Sequence, residues 1–267
     1  MDWPARLVLV GHPVGHSLSP AFQNAALAAA GIALTYEALD VAHADFDARV
    51  AGLRAEKAAG NVTIPFKERF FARCDRRTPL AERVGAVNTF WHEDGALVGD
   101  NTDVGGAELI IRALLHGQHA PVRAAVLGAG GSAAAILCAL ERCGVGDVRL
   151  YNRTMPRALQ MATRFSSFVA PVESIDAALD GATIVVNATP VGLGDSGVPV
   201  EVERLPPGCA VFDLTYGGGE TRWVTQARDA GHRAADGEGM LVEQGALAFE
   251  RWFGHPPDRN AMWKALH

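Results

Sequence analysis

Long apolar runs are missing from this sequence. No segment approaches the roughly 20 residues needed to cross a bilayer, and the chain opens on Arg6-Leu7-Val8-Leu9-Val10 rather than on a basic region followed by a long apolar stretch. Cysteine is scarce and scattered. Cys74, Cys138, Cys143 and Cys209 form no CxxC pair, and no histidine cluster lies at zinc-ligand spacing, so no metal is expected. Cys138 sits in the apolar run 133–140, where it reads as a small core residue. Basic runs are absent too. Arg76-Arg77 and Arg153…Arg157 are too short to follow a phosphate backbone, and the formal net charge of −6 points away from nucleic acid. These absences set an expectation: a protein of the reducing cytoplasm with no membrane or nucleic-acid partner, for which small anionic ligands stay open because a local arginine cluster can act inside an acidic protein. Without heptads or a clear exposed stripe, monomer and homodimer both stay open.

What the chain does have is an ordinary globular composition, 49% apolar and 20% charged over 267 residues, enough for one large domain or two of usual size. Two successive patterns favour two. Residues 7–10 read as a short buried strand, followed by a Gly/Pro/Ser-rich loop over 11–20. Ser19-Pro20 reads as a helix start, with Ser at the N-cap, Pro at the first helical position and helix over 21–30 to the stop at Gly31. A strand over 35–39, a helix over 46–57, a strand over 62–64 and a helix over 65–74 follow, the last with Phe66 and Phe70 on one face. Strands over 87–91 and 96–98 flank Asp94-Gly95, a hairpin signal. Alternating strands and helices closed by a hairpin predict an α/β unit with a mixed sheet.

The second pattern begins with a strand over 124–127, a Gly-rich turn and an Ala-rich helix to Cys143. A strand over 148–151, a helix over 156–165 and strands over 184–187 and 210–213 complete a β-α-β-α-β succession, which predicts a Rossmann-type doubly wound parallel sheet. Residues 103–116 read as a connecting helix. A last helical pattern over 240–253 is expected to pack back on the first half, giving one domain of 1–102 with 240–267 and another of 103–239.

Gly128-Ala129-Gly130-Gly131-Ser132-Ala133 has G-x-G-x-x-A spacing between a strand and a helix. The first glycine makes the tight turn, the second lets backbone approach a pyrophosphate, and the helix N-terminus offers N–H groups to it. At the end of the next strand, NAD-binding sheets usually place Asp or Glu for the ribose 2′-hydroxyl. Here the chain has Asn152-Arg153-Thr154, with Arg157 a turn later. Guanidiniums with no carboxylate alongside suit a 2′-phosphate, so NADP(H) is the expected dinucleotide. Asn187-Ala-Thr-Pro-Val-Gly192 lies at another strand's C-terminal end, where Thr189 and Pro190 are candidates to line the nicotinamide side.

The segment 61–67, Asn-Val-Thr-Ile-Pro-Phe-Lys, places Asn61 and Thr63 two apart, on one face of a strand. Pro65 opens a helix, and Lys67 falls in its first turn, against the dipole. Other polar groups need a destination. Ser17 and Ser19 lie two apart in the first loop, Asn88 ends strand material in 85–89, and Asp103 closes Gly99-Asp-Asn-Thr-Asp103. Tyr216 follows the strand ending at Asp213. Gln244 lies on the apolar stripe of the last helix, so its amide is either hydrogen-bonded in the core or facing a ligand.

Taken in this order, residues 17–20, 61–67, 85–89, 99–103, 128–135, 152–154, 187–192, Asp213…Tyr216…Thr221 and 239–245 resemble the shikimate dehydrogenase family over nearly the whole chain. The resemblance implies a two-domain enzyme that reduces 3-dehydroshikimate to shikimate with NADPH, on the route to aromatic amino acids. It implies Ser17, Ser19, Asn61, Thr63, Asn88, Tyr216 and Gln244 as substrate ligands and Lys67 and Asp103 as the catalytic pair. It also implies Gly128–Gly131, Asn152, Arg153 and Thr154 around NADP(H), with Leu214, Gly237 and Met240 near the nicotinamide. Two departures stand out. Gln23-Asn24 replaces the family's frequent His-Asn, and Tyr216-Gly-Gly-Gly-Glu-Thr221 lacks the usual proline, which leaves that loop looser. The rival readings are a quinate/shikimate or aminoshikimate-type dehydrogenase using NAD, and a catalytically silent dinucleotide-binding sensor.

Overall fold

The apolar run at the N-terminus forms a strand buried at every position, β1 (Leu7–Gly11), around which the first sheet is built. The computed structural model describes residues 3–118, 121–194, 197–217 and 219–267. The chain divides into two units, Met1–Asp103 with Leu241–His267, and Val104–Met240. After β1 come α1 (Ser19–Ala29), β2 (Tyr36–Asp40), α2 (Phe46–Ala55), β3 (Ala59–Val62), α3 (Lys67–Phe71), β4 (Arg76–Arg77), α4 (Pro79–Val84), β5 (Thr89–Glu93) and β6 (Ala96–Asp100). The strand order is β2-β1-β3-β5-β6-β4. β1 runs parallel to β2 and β3, whereas β5 is antiparallel to both β3 and β6, so this sheet is mixed. Asp94 and Gly95 both take positive φ, +51° and +77°, as the tight β5–β6 turn requires. Phe46, Phe66, Phe70 and Phe90 form the aromatic centre of the core, with the Phe46–Phe66 ring centroids 4.6 Å apart.

Several boundaries differ from the sequence reading. The strand expected over 62–64 is β3, which ends at Val62. Gly60 explains the shift: a Cβ there would lie 1.8 Å from the Val8 carbonyl oxygen, so only glycine lets β3 pair with β1 in this register. Thr63 therefore lies beyond the strand, although its N–H still donates to Val10 O at 2.9 Å. A turn with a cis Ile64–Pro65 peptide follows, and α3 spans Lys67–Phe71 instead of 65–74. α2 stops at Ala55, before Lys57 at φ +49°. Ser19 is not a cap. Leu18 already has helical φ and ψ, and the Ser17 hydroxyl accepts the Ser19 N–H at 3.2 Å. Asn88 precedes β5 rather than ending a strand.

The second unit starts within α5 (Asp103–Leu114) and continues through β7 (Arg123–Leu127), α6 (Gly131–Arg142), β8 (Asp147–Tyr151), α7 (Met155–Arg164), β9 (Val169–Val172), α8 (Ile175–Leu179), β10 (Ile184–Asn187), β11 (Ala210–Asp213), α9 (Arg222–Asp229) and β12 (Ala234–Ala235). All six strands are parallel, in the order β12-β11-β10-β7-β8-β9. That is a doubly wound sheet whose order reverses between β7 and β10. The C-terminal helices are α10 (Glu238–Phe253) and α11 (Arg259–Lys264), and the chain from Leu241 onward belongs to the first unit, with α11 packed on α1. Among the described residues no helix is long and apolar enough to cross a membrane.

Candidate active site

Strand direction assembles the first unit's polar groups. β1 and β3 are parallel, so the loops after Gly11 and Val62 leave from one edge of the sheet. His12 N–H donates to Ile64 O at 3.0 Å, stitching those loops together. Gly11 permits this closeness, since a Cβ there would lie 2.4 Å from the Thr63 methyl. Because β5 is antiparallel, its start lies at the same edge: Asn61 pairs with Thr89, and Thr89 with Asp100. Ser17, Ser19, Asn61, Thr63, Asn88 and the 100–103 turn thus come to one margin from distant parts of the sequence.

Lys67 reaches this margin because its neighbours are anchored. Phe66, just before α3, and Phe70 within it are both buried in the core, and Lys67 O accepts the Val87 N–H at 3.0 Å. Its ammonium lies 2.6 Å from Asp103 Oδ2, with the two side chains only 15% and 7% exposed. The other carboxylate oxygen accepts from Asn88 Nδ2 at 2.7 Å. Asn88 cannot be turned round, because its Oδ1 accepts the Thr102 backbone N–H at 2.7 Å. Asn88 Nδ2 also lies 3.0 Å from Thr102 Oγ1 and 3.2 Å from Gln244 Oε1, so its two N–H groups are shared among three acceptors. Gln244 in turn donates from Nε2 to Leu241 O at 2.8 Å, so the amide left open by the sequence is hydrogen-bonded at both ends. Asn61 Nδ2 donates to Asn88 O at 3.1 Å. The structure brings Lys67, Asp103, Asn88, Asn61 and Gln244 into one hydrogen-bonded cluster. Only one of the three ammonium N–H groups of Lys67 is committed within it. A cation with free N–H groups beside a carboxylate can deliver a proton to a neighbouring oxygen and stabilise charge developing there.

Neighbouring groups hold the cluster's frame. Asp100, buried at the end of β6, accepts from the Thr78 hydroxyl, from Asn101 N–H at 2.8 Å and from Arg251 Nε at 2.9 Å. The sequence pattern does not single out Thr102, Tyr36, Asp100 or Arg251. Thr102 lies inside the 99–103 block, where the terminal aspartate at a helix start is the conspicuous group.

In the second unit, the glycine loop leaves β7 where the strand order reverses. Gly128 has φ +111°, and a Cβ there would lie 2.6 Å from Ala188 O. Gly130 is the N-cap of α6 and no side chain caps that helix, which leaves its first N–H groups for an outside acceptor. Asn152, Arg153 and Thr154 follow β8. Arg153 and Arg157 are exposed and pair with no carboxylate among the described residues. Thr189 follows β10, its hydroxyl donating to Asn187 Oδ1 at 2.6 Å, and Asn187 Nδ2 donates to Asp213 Oδ1 at 2.8 Å. Leu214 and Tyr216 follow β11. Gly237 follows β12, its missing side chain making room for Leu214 O, and Met240 is buried early in α10. These residues fit a phosphorylated dinucleotide: a Cβ-free cradle, an uncapped helix N-terminus and two unpaired cations at the C-terminal edge of the sheet.

Family models cover most of the chain. The shikimate dehydrogenase substrate binding domain matches residues 9–90, the shikimate/quinate 5-dehydrogenase domain 112–192, and the shikimate 5′-dehydrogenase C-terminal domain 237–267. The NADP(+) shikimate dehydrogenase of Rubrobacter xylanophilus is 45% identical over 97% of this chain and 94% of its own. The chain belongs to the shikimate dehydrogenase family. A solved shikimate 5-dehydrogenase from Thermus thermophilus, in complex with NADP(H) and shikimate, is 38% identical, with a TM-score of 0.85 over 98% of both chains. A quinate dehydrogenase from Corynebacterium glutamicum, in complex with NAD, is 28% identical, with a TM-score of 0.89 over 99% of both chains. Tyr216, which the resemblance to shikimate dehydrogenases singled out, lies in the second unit, half-buried. Residue 218 of the loop after it lies outside the described residues.

Proposed function

We propose that this protein catalyses the reversible NADP(H)-dependent reduction of 3-dehydroshikimate to shikimate, with Lys67 and Asp103 as its acid–base pair. The observation that carries this reading is the 2.6 Å contact between them inside a buried amide cluster. NADPH, when bound, supplies the hydride. Lys67 presents a free N–H to the substrate carbonyl oxygen and passes its proton as negative charge develops there; Asp103 orients the ammonium and takes part in returning the proton. A coupled pair titrates as a unit, so formal acid and base belong to the pair. In the oxidation direction the same groups accept the hydroxyl proton.

Ser17 and Ser19 suit the substrate carboxylate, and Asn61, Thr63, Asn88, Gln244 and Tyr216 its hydroxyl groups. For the cofactor, residues Gly128, Ala129, Gly130, Gly131, Ser132 and Ala133 would receive the pyrophosphate. Asn152, Arg153, Thr154 and Arg157 would hold the adenosine ribose and its 2′-phosphate, and Thr189, Leu214, Gly237 and Met240 the nicotinamide. Arg153 at the β8 edge, with no carboxylate beside it, supports NADP(H) over NAD(H). On this reading residues 1–102 and 240–267 bind substrate and 103–239 bind cofactor, in a cytoplasmic enzyme, monomeric or homodimeric.

The test is kcat/KM for shikimate and for quinate, each with NADP⁺ and NAD⁺. Shikimate with NADP⁺ should give the highest value. Preference for quinate with NAD⁺ would overturn the assignment of Arg153, and cofactor binding without turnover on either substrate would make the protein a sensor.

A further inference from the structure

The amide of Asn61 has two chemically different ends, and something must decide which end the substrate meets. Its Nδ2 donates to Asn88 O, an acceptor only, so that end is nitrogen. Its Oδ1 accepts from the Tyr36 hydroxyl at 2.8 Å. Tyr36 is 1% exposed and Asn61 5%, so neither bond competes with bulk water. Tyr36 is itself held from both sides. The Asn24 side chain on α1 clasps its backbone, Oδ1 accepting the Tyr36 N–H at 2.8 Å and Nδ2 donating to the Tyr36 carbonyl at 3.0 Å. The Trp252 ring stacks on the phenol with centroids 6.0 Å apart and planes 28° off parallel. Trp252 Nε1 donates to Thr89 Oγ1, whose hydroxyl donates to Gly60 O, the residue before Asn61.

We propose that Tyr36, clasped by Asn24 and stacked on Trp252, is a positioning residue that locks the Asn61 amide in the orientation the Asn88 carbonyl sets, so that Asn61 meets a substrate hydroxyl as a donor. With its oxygen accepting from Tyr36 and one N–H given to Asn88 O, the second N–H is the donor Asn61 retains for the substrate. Removing the phenol hydroxyl frees the amide to rotate or swing and strips its oxygen of a buried partner. The relay runs in one direction, from Tyr36 O–H to Asn61, from Asn61 N–H to Asn88 O, and from Asn88 N–H to Asp103.

The inference rests on Asn61 as a substrate ligand, and a double-mutant cycle separates the two claims. Tyr36→Phe deletes one hydroxyl. It should raise KM and calorimetric Kd for shikimate about five- to tenfold, as loss of one buried hydrogen bond does. KM for NADP⁺ and the pH profile of kcat should hold to within about a factor of two. Asn61→Ala should weaken shikimate binding more. In the Asn61→Ala background Tyr36→Phe should have no further effect, because its route to substrate is gone. Asn24→Ala, which loosens Tyr36 without touching the phenol, should raise the same KM in the same direction. If Tyr36→Phe leaves shikimate binding unchanged while Asn61→Ala weakens it, or if the two effects add, Tyr36 does not act through Asn61. If Asn61→Ala is itself silent, the placement of Asn61 among the substrate ligands fails instead. A Tyr36→Phe protein that weakens both shikimate and NADP⁺ binding, with a lowered melting temperature, would reduce Tyr36 to a packing residue and overturn the proposal.

Discussion

Replacing Lys67 by alanine removes the only ammonium in the amide cluster while leaving its frame intact. Phe66 and Phe70 still anchor α3, and Asp103 keeps the 2.7 Å hydrogen bond from Asn88. A positioned acid–base group contributes about 10²–10⁴-fold, so kcat for shikimate oxidation, where the pair accepts the hydroxyl proton, should fall by about that factor, or roughly 3–5 kcal/mol of barrier. KM for shikimate should change far less, since Lys67 contributes one contact among many. Breaking a fully buried ion pair costs about 3–5 kcal/mol in stability. The cost here should be nearer 1–3 kcal/mol, because Asp103 retains one donor and water can enter where the lysine was. The assay is steady-state NADPH absorbance, repeated with Lys67→Arg and with added methylamine. Arginine restores the positive charge but is too weak an acid to give up its proton. If Lys67 acts by proton transfer, arginine should stay slow and methylamine should rescue Lys67→Ala in part. A folded Lys67→Ala enzyme with wild-type kcat would refute the assignment, and full recovery with arginine would leave Lys67 only an electrostatic role.

Arg153→Ala should lower kcat/KM with NADP⁺ about ten- to a hundredfold, the worth of a hydrogen bond to a charged group, and leave the value with NAD⁺ nearly unchanged; equal losses with both cofactors would remove Arg153 from the 2′-phosphate. Gly60→Ala puts a Cβ 1.8 Å from Val8 O in the strand that carries Asn61, and should cost about 3 kcal/mol in denaturant unfolding. Gly15→Ala, where a Cβ meets nothing within 4 Å, is its control, and equal midpoints for the two variants would show that the strands separate easily. Asp75 is held down to about 2 by the Arg54 guanidinium, which grips both its oxygens, and by the Leu97 N–H. A carboxyl lowered on folding stabilises above its unfolded value near pH 4, and that contribution is lost as pH falls through about 2. The melting temperature of Asp75→Asn should therefore lie below wild type at neutral pH and converge with it in acid; a gap that persists at the acid end would mean the pair is not what stabilises.

How far the sequence reveals this fold depends on where each element draws its stability. β7, β10 and β11 carry short apolar runs and β8 alternates buried Val148 and Leu150 with polar residues, so local pattern and tertiary burial agree and the boundaries fall within a residue of expectation. β3 is Ala-Gly-Asn-Val, weak in strand propensity, and exists because it is clamped between β1 and β5. β4 and β12 are two residues each, defined only by the partner they pair with, and leave no local signature. α4 is different, for its signals are local but belong to capping rather than to apolar spacing: Thr78 caps Ala81 N–H, Pro79 opens the helix, and Gly85 closes it at φ +71°. α8 likewise begins at Ser174, whose hydroxyl accepts the Ala177 N–H.

The site was legible as a set of residue types and illegible as a set of directions. Lysine, aspartate and amides in 61–67, 85–89 and 99–103 could be gathered from the resemblance, but not which amide end faces which neighbour. That information lies in donors that cannot reverse. The Thr102 backbone N–H can only donate, so Asn88 Oδ1 must accept and its NH₂ must face Asp103. Asn88 O can only accept, so Asn61 turns its nitrogen there and leaves its oxygen to Tyr36. The antiparallel start of β5 delivers both fixed groups, the Asn88 carbonyl and the Asn88 amide, to the edge where β3 ends and Asp103 begins. A parallel strand in that position would carry Asn88 to the far end of the sheet. The hairpin signalled by Asp94-Gly95 then turns the chain back along β6, which brings Asp100 and Asp103 to the same edge as Asn88.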